Sequence, residues 1–331
     1  MVIDSPGPPR ALRLRDLPVP EPGPGQARIK VAYAGLNPMD VFARAGKVDW
    51  MGVTFPFTPG LEHTGIVDAV GEGVPSRLVG RRVLSRANFG GCADYSLSDA
   101  ASLIALDDRI SLRVGCVYRG CTYTAWHLLH KAAQIRPDQW ALFHSAAGPV
   151  GIMLTQIAKE AGLQVIGLAG GPEKTAYAAQ FGADAVLDYS SDQWVSEVLD
   201  LTSGRGVDLV VDGNGGPQAK ANFDVIAPLG KIYFIGISAG DYPDPVHPGL
   251  LIAKNCSVAG FSLVGVEVAP GSDEDRALVD AVVSGRWRVP ISDEVPLEDT
   301  ATIHEALESR RIMGRAVICV DSNLDQAPDH A

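Results

Sequence analysis

The sequence predicts an α/β protein in which a β-rich, barrel-like part is combined with a doubly wound parallel sheet. The 331 residues are 46% hydrophobic, enough for more than one compact core, which favours two domains. From Pro18 to Leu97, short apolar runs alternate with Pro/Gly clusters, as in strands joined by tight turns. From Thr122 to Gly260, apolar runs of strand length alternate with helical patterns, which indicates βαβ units. The change predicts a domain boundary near residue 120.

The composition limits the classes of partner. The formal net charge is −11, and no segment supplies the basic face that nucleic acid or an anionic membrane would require, so we expect a small-molecule ligand. Met1 to Arg15 contains no apolar stretch typical of a signal peptide, and no apolar run could span a membrane, so a cytoplasmic location is expected. The five cysteines are scattered and include no CxxC pair, which favours reduced thiols.

The parallel sheet is expected to contain six strands, as a complete dinucleotide-binding sheet does. After Gly260 the pattern is mixed and includes an amphipathic stretch over Thr300–Arg310 and a strand over Ala316–Val320. The polar tail from Asp321 to Ala331 is expected to be disordered. The predicted strands of the sheet are Trp140–His144, Gln164–Leu168, Ala185–Leu187, Val207–Val211, Lys231–Ile235 and Ser257–Gly260.

A glycine turn, FHSAAGPVG at 143–151, follows the first of these strands and opens a helix with regularly spaced apolar residues. Gly148 and Gly151 allow the backbone to approach a pyrophosphate, and the helix N-terminus offers unpaired N–H groups to its oxygens. Ala146 stands where the strictest form of the pattern has its first glycine, and Pro149 suits the first helical position. A tight turn without a ligand is the alternative. The predicted cofactor contacts are Ala147, Gly148, Pro149 and Val150.

The end of the second strand indicates which nucleotide is bound. An NAD site usually presents an acidic residue there to the ribose 2′-hydroxyl, whereas this chain has no acid from Leu168 to Gly171, and Gly170 is a predicted cofactor contact. Lys174 follows one helical turn later and could pair with a 2′-phosphate. The pattern therefore favours NADPH; a solvated helix lysine is the alternative interpretation.

Several further motifs carry a family resemblance. They are AGLNPMD at 34–40, TPGLEHTGIVDAVGEGV at 58–74, TAW at 124–126, SAAGPVG at 145–151 and PLEDTATIHEALESRRIMGRAVICV at 296–320. With them the chain resembles, over nearly its whole length, the medium-chain dehydrogenase/reductases and their zinc-independent, quinone-oxidoreductase-like group. The resemblance implies a GroES-like catalytic domain, residues 1–120 and 263–331, around a Rossmann domain, residues 121–262. It also implies a homodimer formed through the Rossmann domains.

The zinc-dependent branch of this family has ligands that the chain lacks. A Cys ligand would stand in the loop that reads AGLNPMD, and a His would directly precede the Glu of PGLEHTG, where this chain has Leu61. The cysteines are too far apart for the structural metal of that branch. His63 lies one place too late and is expected to be a polar residue at a strand edge. The sequence predicts no metal.

The resemblance also assigns roles to single residues. Asn37 and Asp40 would border the nicotinamide end of the cleft, and Thr124 would lie beside the nicotinamide; these three are the predicted catalytic residues. Read without the family, Asn37 is a turn former, Thr124 a helix N-cap and Phe261 a core aromatic. Tyr189 and Lys174 would flank the 2′-phosphate, Asn214, Gly236 and Phe261 would line the cofactor, and Arg310 would add a phosphate contact.

Two departures from the family pattern concern the substrate. Phe42 replaces a tyrosine common in the group, so the proton would come from solvent, Tyr33, Tyr118 or Tyr123, and the sequence does not choose. Arg119 stands in a usually apolar segment; it would favour an anionic substrate if it faced the cleft and would have no meaning if it faced outward.

The expected activity is reduction of the C=C bond of a quinone or α,β-unsaturated carbonyl by NADPH. Without a Lewis acid, alcohol oxidation loses the usual stabilisation of an alkoxide, whereas conjugate reduction needs hydride delivery to carbon and stabilisation of an enolate oxygen. The alternative is a cofactor-binding member with a non-redox role, as an isomerase, a cyclase or a crystallin-like structural protein. A zinc alcohol dehydrogenase is disfavoured by the missing ligands.

Overall fold

The computed structural model describes residues 1–48, 51–86, 88–238, 240, 243–266 and 268–325. The chain divides into two compact units, one formed by Met1–Arg119 with Ala269–Ala331 and the other by Gly120–Val268. We call them the split unit and the central unit. The predicted boundaries were 120/121 and 262/263, and the observed ones are 119/120 and 268/269.

Strands are found in both units. In chain order they are Gln26–Gly35 (β1), Glu62–Val70 (β2), Arg82–Ser85 (β3), Tyr95–Asp99 (β4), Ile104–Ala105 (β5), Trp140–Phe143 (β6), Gln164–Ala169 (β7), Ala185–Asp188 (β8), Val207–Asp212 (β9), Ile226–Phe234 (β10), Ser257–Gly260 (β11), Ile291–Pro296 (β12) and Arg315–Cys319 (β13).

The α-helices connect and cover these strands. They are Pro38–Arg44 (α1), Leu112–His127 (α2), Pro149–Glu160 (α3), Gly171–Ala179 (α4), Trp194–Leu201 (α5), Asn222–Val225 (α6), Pro248–Lys254 (α7), Asp273–Val283 (α8) and Thr300–Glu308 (α9). Across the described parts of the chain, no helix is both long and apolar enough to cross a membrane.

The split unit contains a sheet in the order β12-β13-β1-β2-β3-β5, with β4 also paired to β1. β1 is its longest strand and pairs antiparallel with β2, β4 and β13. Alternate residues of β1, namely Ala27, Ile29 and Val31, are completely buried in one core cluster. The first half of the strand therefore alternates as a strand with one covered face should, whereas its second half is buried on both faces. The strand brings together segments from both ends of the chain.

The central unit contains a six-stranded sheet in the order β11-β10-β9-β6-β7-β8, in which all neighbours are parallel. This is the doubly wound order of a dinucleotide-binding sheet, and the predicted fold class is confirmed. Each predicted strand is present. β10 begins earlier than predicted, at Ile226, because Ile226 already pairs with Val207 of β9 before a register shift.

The predicted disorder of the C-terminal tail is wrong for its first part. Ser322–Leu324 forms a 3₁₀ turn, and the carboxylate of Asp325 accepts hydrogen bonds from Leu112 N at 2.9 Å and Arg113 N at 3.0 Å. These N–H groups open α2 and have no partner within the helix, so the carboxylate caps it. The rest of the predicted disordered tail, residues 326–331, lies outside the described residues.

Candidate functional site

The glycine turn joins β6 to α3 in the predicted way. Ser145 adopts a left-handed conformation with φ +53°, and Gly148 N donates to Ser145 O at 2.7 Å. Gly148 is the N-cap of α3 and Pro149 is its first residue. A Cβ on Gly151 would lie 2.3 Å from Ser145 O, which no side chain could accept without displacement. Gly151 therefore allows α3 to begin directly against the turn, so that its N-terminal N–H groups are presented at the end of β6.

Polar side chains hold this turn from the neighbouring strand. Asn214 Oδ1 accepts hydrogen bonds from Ser145 Oγ at 2.5 Å and from Ser238 Oγ at 2.9 Å. The backbone at Asn214 is fixed in turn by Asp212, whose Oδ1 accepts from Asn214 N at 2.8 Å and Gly215 N at 3.0 Å. Asn214, Ser145 and Asp212 thus form one network that connects the ends of β6 and β9.

The same aspartate orients a second arm of the network. Asp212 Oδ2 accepts from Asn222 Nδ2 at 2.8 Å, and Asn222 Oδ1 lies 2.7 Å from His144 Nε2. All three side chains are buried, so an unpaired member would be costly. The pairing keeps the end of β9 rigid beside the turn.

A tyrosine and a glycine meet at the ends of β7 and β8. A Cβ on Gly170 would lie 2.6 Å from the Tyr189 hydroxyl oxygen, so the phenol packs directly over the glycine backbone. Asp188 is held here too, because its Oδ1 accepts from Gly171 N at 2.9 Å and from Ser190 Oγ at 2.6 Å. The Gly171 N–H, followed by the Ser190 hydrogen bonds, keeps the pKa of Asp188 below its usual value. Lys174 lies in the first half of α4, which packs on β7 and β8.

The remaining predicted cofactor residues of the central unit also follow strand ends. A Cβ on Gly236, after β10, would lie 3.0 Å from Gly213 O. Phe261 follows β11 and is half-buried, with its N–H bonded to β10. Carboxyl ends of parallel strands lie at one edge of a sheet, so Gly148, Gly170, Tyr189, Asn214, Gly236 and Phe261 are all brought to that edge.

In the split unit, Asn37 belongs to a buried polar cluster. Asn37 Nδ2 donates to Glu62 Oε2 at 3.1 Å, and Arg315 Nη1 donates to Asn37 Oδ1 at 2.8 Å. Arg315 Nη2 also donates to Glu62 Oε2 at 2.6 Å, and Arg86 Nε donates to Glu62 Oε1 at 2.8 Å. Burial alone would raise the pKa of Glu62, but Arg86 and Arg315 hold it below its usual value. Both polar atoms of the Asn37 side chain are therefore used within the cluster.

Asp40 supports the loop around this cluster. Its Oδ1 accepts from Gly60 N at 2.8 Å and Leu61 N at 2.9 Å, and its Oδ2 accepts from Asn37 N at 2.9 Å. The side chain is buried, and burial raises its pKa to about 6 although the three backbone N–H groups favour the carboxylate. This geometry favours a positioning role, in which Asp40 fixes the turn that carries Asn37.

Comparisons with known proteins agree with both units. Residues 23–150 match the family model of the alcohol dehydrogenase GroES-like domain, and residues 149–280 match that of zinc-binding dehydrogenase. The quinone oxidoreductase of Sus scrofa is 30% identical over 319 residues, which cover 94% of this chain and 94% of the relative. The chain belongs to the quinone-oxidoreductase-like group of the medium-chain dehydrogenase/reductases. Members of this group are oxidoreductases, and so is this protein.

A second relative and a solved structure extend the comparison. The 2-haloacrylate reductase of a Burkholderia species is 28% identical, with 96% of this chain and 97% of the relative covered. The crystal structure of Escherichia coli quinone oxidoreductase complexed with NADPH is similar with a TM-score of 0.88 at 27% identity, covering 96% of this chain and 99% of that one.

Within this quinone-oxidoreductase-like fold, both alternatives for Arg119 are wrong. Its side chain is only 2% exposed, and Nη1 donates to Asp275 Oδ1 at 2.6 Å. The second oxygen of Asp275 accepts from Gly271 N at 2.8 Å. Because Asp275 neutralises the guanidinium inside the split unit, Arg119 gives no reason to expect an anionic substrate.

Thr124 and His63 also differ from simple expectations. Thr124 is not a helix N-cap, because α2 already begins at Leu112; its hydroxyl donates to Gly120 O at 2.6 Å within the helix. His63 is not at a strand edge, because β2 pairs with β1 and β3 on its two sides. The buried imidazole lies 3.1 Å from Gly60 O and 2.7 Å from Ser96 Oγ.

The candidate proton donors and Arg310 are placed as follows. The three tyrosines are buried, with at most 5% of each residue exposed: Tyr33, Tyr118 and Tyr123. Burial raises the pKa of Tyr33. Arg310 is an exposed residue of the split unit, just after α9, with a left-handed backbone at φ +57°. Its phosphate contact remains a prediction.

Sequence reasoning missed several polar residues that hold the site. Ser145, Asp212, Asn222 and Ser238 were not singled out, although an aspartate that ends an apolar strand, as in VDLVVD at 207–212, is a visible signal. Glu62, Arg86 and Arg315 were missed as a cluster, because the last two are far apart in the sequence and only the sheet brings them together.

Proposed function

We propose that the protein is an NADPH-dependent reductase that transfers hydride to the C=C bond of a quinone or an α,β-unsaturated carbonyl compound without zinc. The proposal rests on the arrangement of residues at the carboxyl edge of the central sheet. There the glycine turn at Ser145 to Gly151 stands beside Gly170, Tyr189 and Lys174, where an NAD site would have an acid.

The residues at this edge fit NADPH. The N–H groups at the start of α3 would bind the pyrophosphate, as helix N-termini do. Gly170 leaves room at the ribose, and the Tyr189 hydroxyl and the Lys174 ammonium could donate to a 2′-phosphate. The Oδ1 atom of the nearby Asp188 already accepts hydrogen bonds from Gly171 N and Ser190 Oγ. The Escherichia coli neighbour, which was solved with NADPH, supports the same cofactor.

The proposed chemistry needs hydride acceptance at carbon and no metal. Bound NADPH would supply the hydride to the β-carbon of the acceptor; the C=C electron pair moves to the carbonyl oxygen, and a proton completes the product. The 2-haloacrylate reductase, named for an activated C=C substrate, supports this class. Leu36 lies in the loop where the zinc branch has a Cys ligand, and Leu61 stands where that branch has a His ligand. The described residues contain no His/Cys/Asp/Glu group that could hold a metal ion.

The split unit would contribute the polar cluster around Glu62. We propose Asn37 and Thr124 as catalytic residues that contact substrate or nicotinamide, and Asp40 as a positioning residue for Asn37. Glu62 and Arg315 hold the Asn37 amide by hydrogen bonds. Its orientation would therefore be fixed before the substrate binds. Arg310 would add a phosphate contact.

We also propose a homodimer formed through the central units. β11 is an edge strand of the central sheet and is largely exposed, so its outer backbone groups can pair with another strand. Exposed apolar side chains occur in the same unit, with Ile252 81% exposed and Val264 88% exposed. A molar mass of twice the chain mass in light scattering would support this; a monomer at micromolar concentration would contradict it.

The test of the activity uses the purified protein with NADPH deuterated at C4 and a panel of quinones and enones, with NADH as the control nucleotide. NADPH oxidation with deuterium at the β-carbon of the product supports the proposal. Deuterium at the carbinol carbon would show carbonyl reduction instead, and NADPH binding without turnover on any acceptor would favour the non-redox alternative.

A further inference from the structure

A buried arginine and a buried histidine lie on two helices of the split unit that pack against each other. Arg44 is the last residue of α1, and His304 lies in the middle of α9; the two helices pack together. The Arg44 residue is 1% exposed and His304 is 0% exposed. Neither belongs to the polar cluster of Asn37 and Glu62, so the proposed reductase function does not use them.

Most of the polar atoms of this pair lack a partner. Arg44 Nη2 donates to Glu308, one turn beyond His304 on α9. Arg44 Nε and Nη1, and both ring nitrogens of His304, have no hydrogen-bond partner among the described residues. The residues directly before Arg44 and His304 on these helices, Ala43 and Ile303, are buried and apolar. An unpaired buried polar group destabilises the folded state, so a ligand that pairs with these atoms would stabilise the fold.

The balance of donors and acceptors indicates what that ligand is. Arg44 offers one N–H from Nε and two from Nη1, and a neutral imidazole adds one donor and one acceptor. Among the unpaired atoms of the pair, one ring nitrogen of His304 is the single acceptor for the two hydrogens that a water molecule would bring. An acceptor that carries no hydrogen satisfies the donors without adding new ones.

The charges around the pair agree with an anion. Burial lowers the pKa of Arg44, although Glu308 acts in the opposite direction, and burial and the Arg44 charge together lower the pKa of His304 to about 3. Glu308 is the carboxylate that pairs with this guanidinium, and 37% of its side chain is exposed, so solvent screens its charge. A buried negative charge beside Arg44 Nε would offset the part of the guanidinium charge that Glu308 leaves uncompensated.

We propose that Arg44 and His304 form an internal binding site for one small monovalent anion of halide size. The anion would accept hydrogen bonds from Arg44 Nε and Nη1 and from the protonated ring nitrogen of His304. It would tie the end of α1 to α9, and α1 begins directly after Asn37. Its role is therefore structural support of the helix that follows the predicted substrate residue.

Bromide tests the site in the wild-type protein, so no variant has to fold. Crystals grown with sodium bromide in place of chloride should show an anomalous peak within hydrogen-bond distance of Arg44 Nε and Nη1. A peak of water density at that position with no anomalous signal, or no density at all, would overturn the proposal.

Thermal unfolding gives an independent test in solution. At constant ionic strength, replacing gluconate, which is too large to enter, by chloride should raise the unfolding midpoint by roughly 2 °C or more. The Arg44→Met variant should lose this rise, whereas Arg77→Met, the same change at an exposed arginine of the same unit, should keep it. An equal rise in all three proteins would indicate a general salt effect and would contradict a specific site. If Arg44→Met does not fold, the wild-type bromide result decides.

Discussion

Substitution of Gly151 by alanine tests the proposed cofactor turn most directly. The added Cβ would lie 2.3 Å from Ser145 O and 2.9 Å from Ala146 Cα, both of them backbone atoms that cannot rotate away. The turn must therefore open, and overpacking of this kind costs about 1–3 kcal/mol. If that cost falls on the geometry that binds the pyrophosphate, the Kd for NADPH should rise about 10- to 100-fold.

Gly7→Ala provides a control outside the turn. Its Cβ would lie 3.5 Å from Ala11 Cβ, an ordinary van der Waals contact, so the added methyl displaces nothing. We expect this variant to bind NADPH as the wild type does. Urea unfolding of both variants separates a loss of affinity from a loss of stability.

Nicotinamide fluorescence measures the NADPH affinity of the two variants. The reasoning would be refuted by a Gly151→Ala protein that binds NADPH as tightly as the wild type and is equally stable. It would also be refuted if Gly7→Ala weakened NADPH binding as much as Gly151→Ala does.

Three further predictions concern the nucleotide, a buried acid and the tail. Lys174→Ala should raise the Kd for NADPH about 10-fold and leave that for NADH unchanged, because only NADPH carries the 2′-phosphate. The pKa of Asp40 in the folded protein, about 6, lies above its ordinary value of 3.8, so its protonation favours the folded state at low pH. The wild type should therefore lose up to about 3 kcal/mol of stability relative to Asp40→Asn as the pH rises from 4 to 6, measured by urea unfolding. Asp325→Ala should lower the free energy of unfolding by about 1 kcal/mol, because the start of α2 loses its cap.

Each of these has its own control. Lys220→Ala changes an exposed lysine of the central unit and should leave both nucleotide affinities unaltered; an equal loss of NADH and NADPH binding in Lys174→Ala would argue against a 2′-phosphate contact. A stability difference between Asp40→Asn and the wild type that is constant with pH would contradict the raised pKa. An Asp325→Ala protein with wild-type stability would show that the cap contributes nothing.

The local patterns of the sequence determined the parts of this protein that depend on neighbouring residues. The strands of the central sheet, the helix after the glycine turn and the absence of an acid after Leu168 all follow from residues adjacent in the chain. Hydrophobic periodicity and turn chemistry act over a few residues, so they can be recognised without knowing what packs on them.

Only the tertiary structure decided how distant polar residues are paired. Arg315 lies beside Glu62 because β13 and β2 both pair with β1. Arg119 gives no indication of an anionic substrate, because it is paired with Asp275 of α8. Asp325 caps α2 from a tail whose composition indicates disorder. The spacing of charged residues along the sequence does not identify their partners. The packing of the sheets decides which groups meet, and burial then makes each pairing necessary.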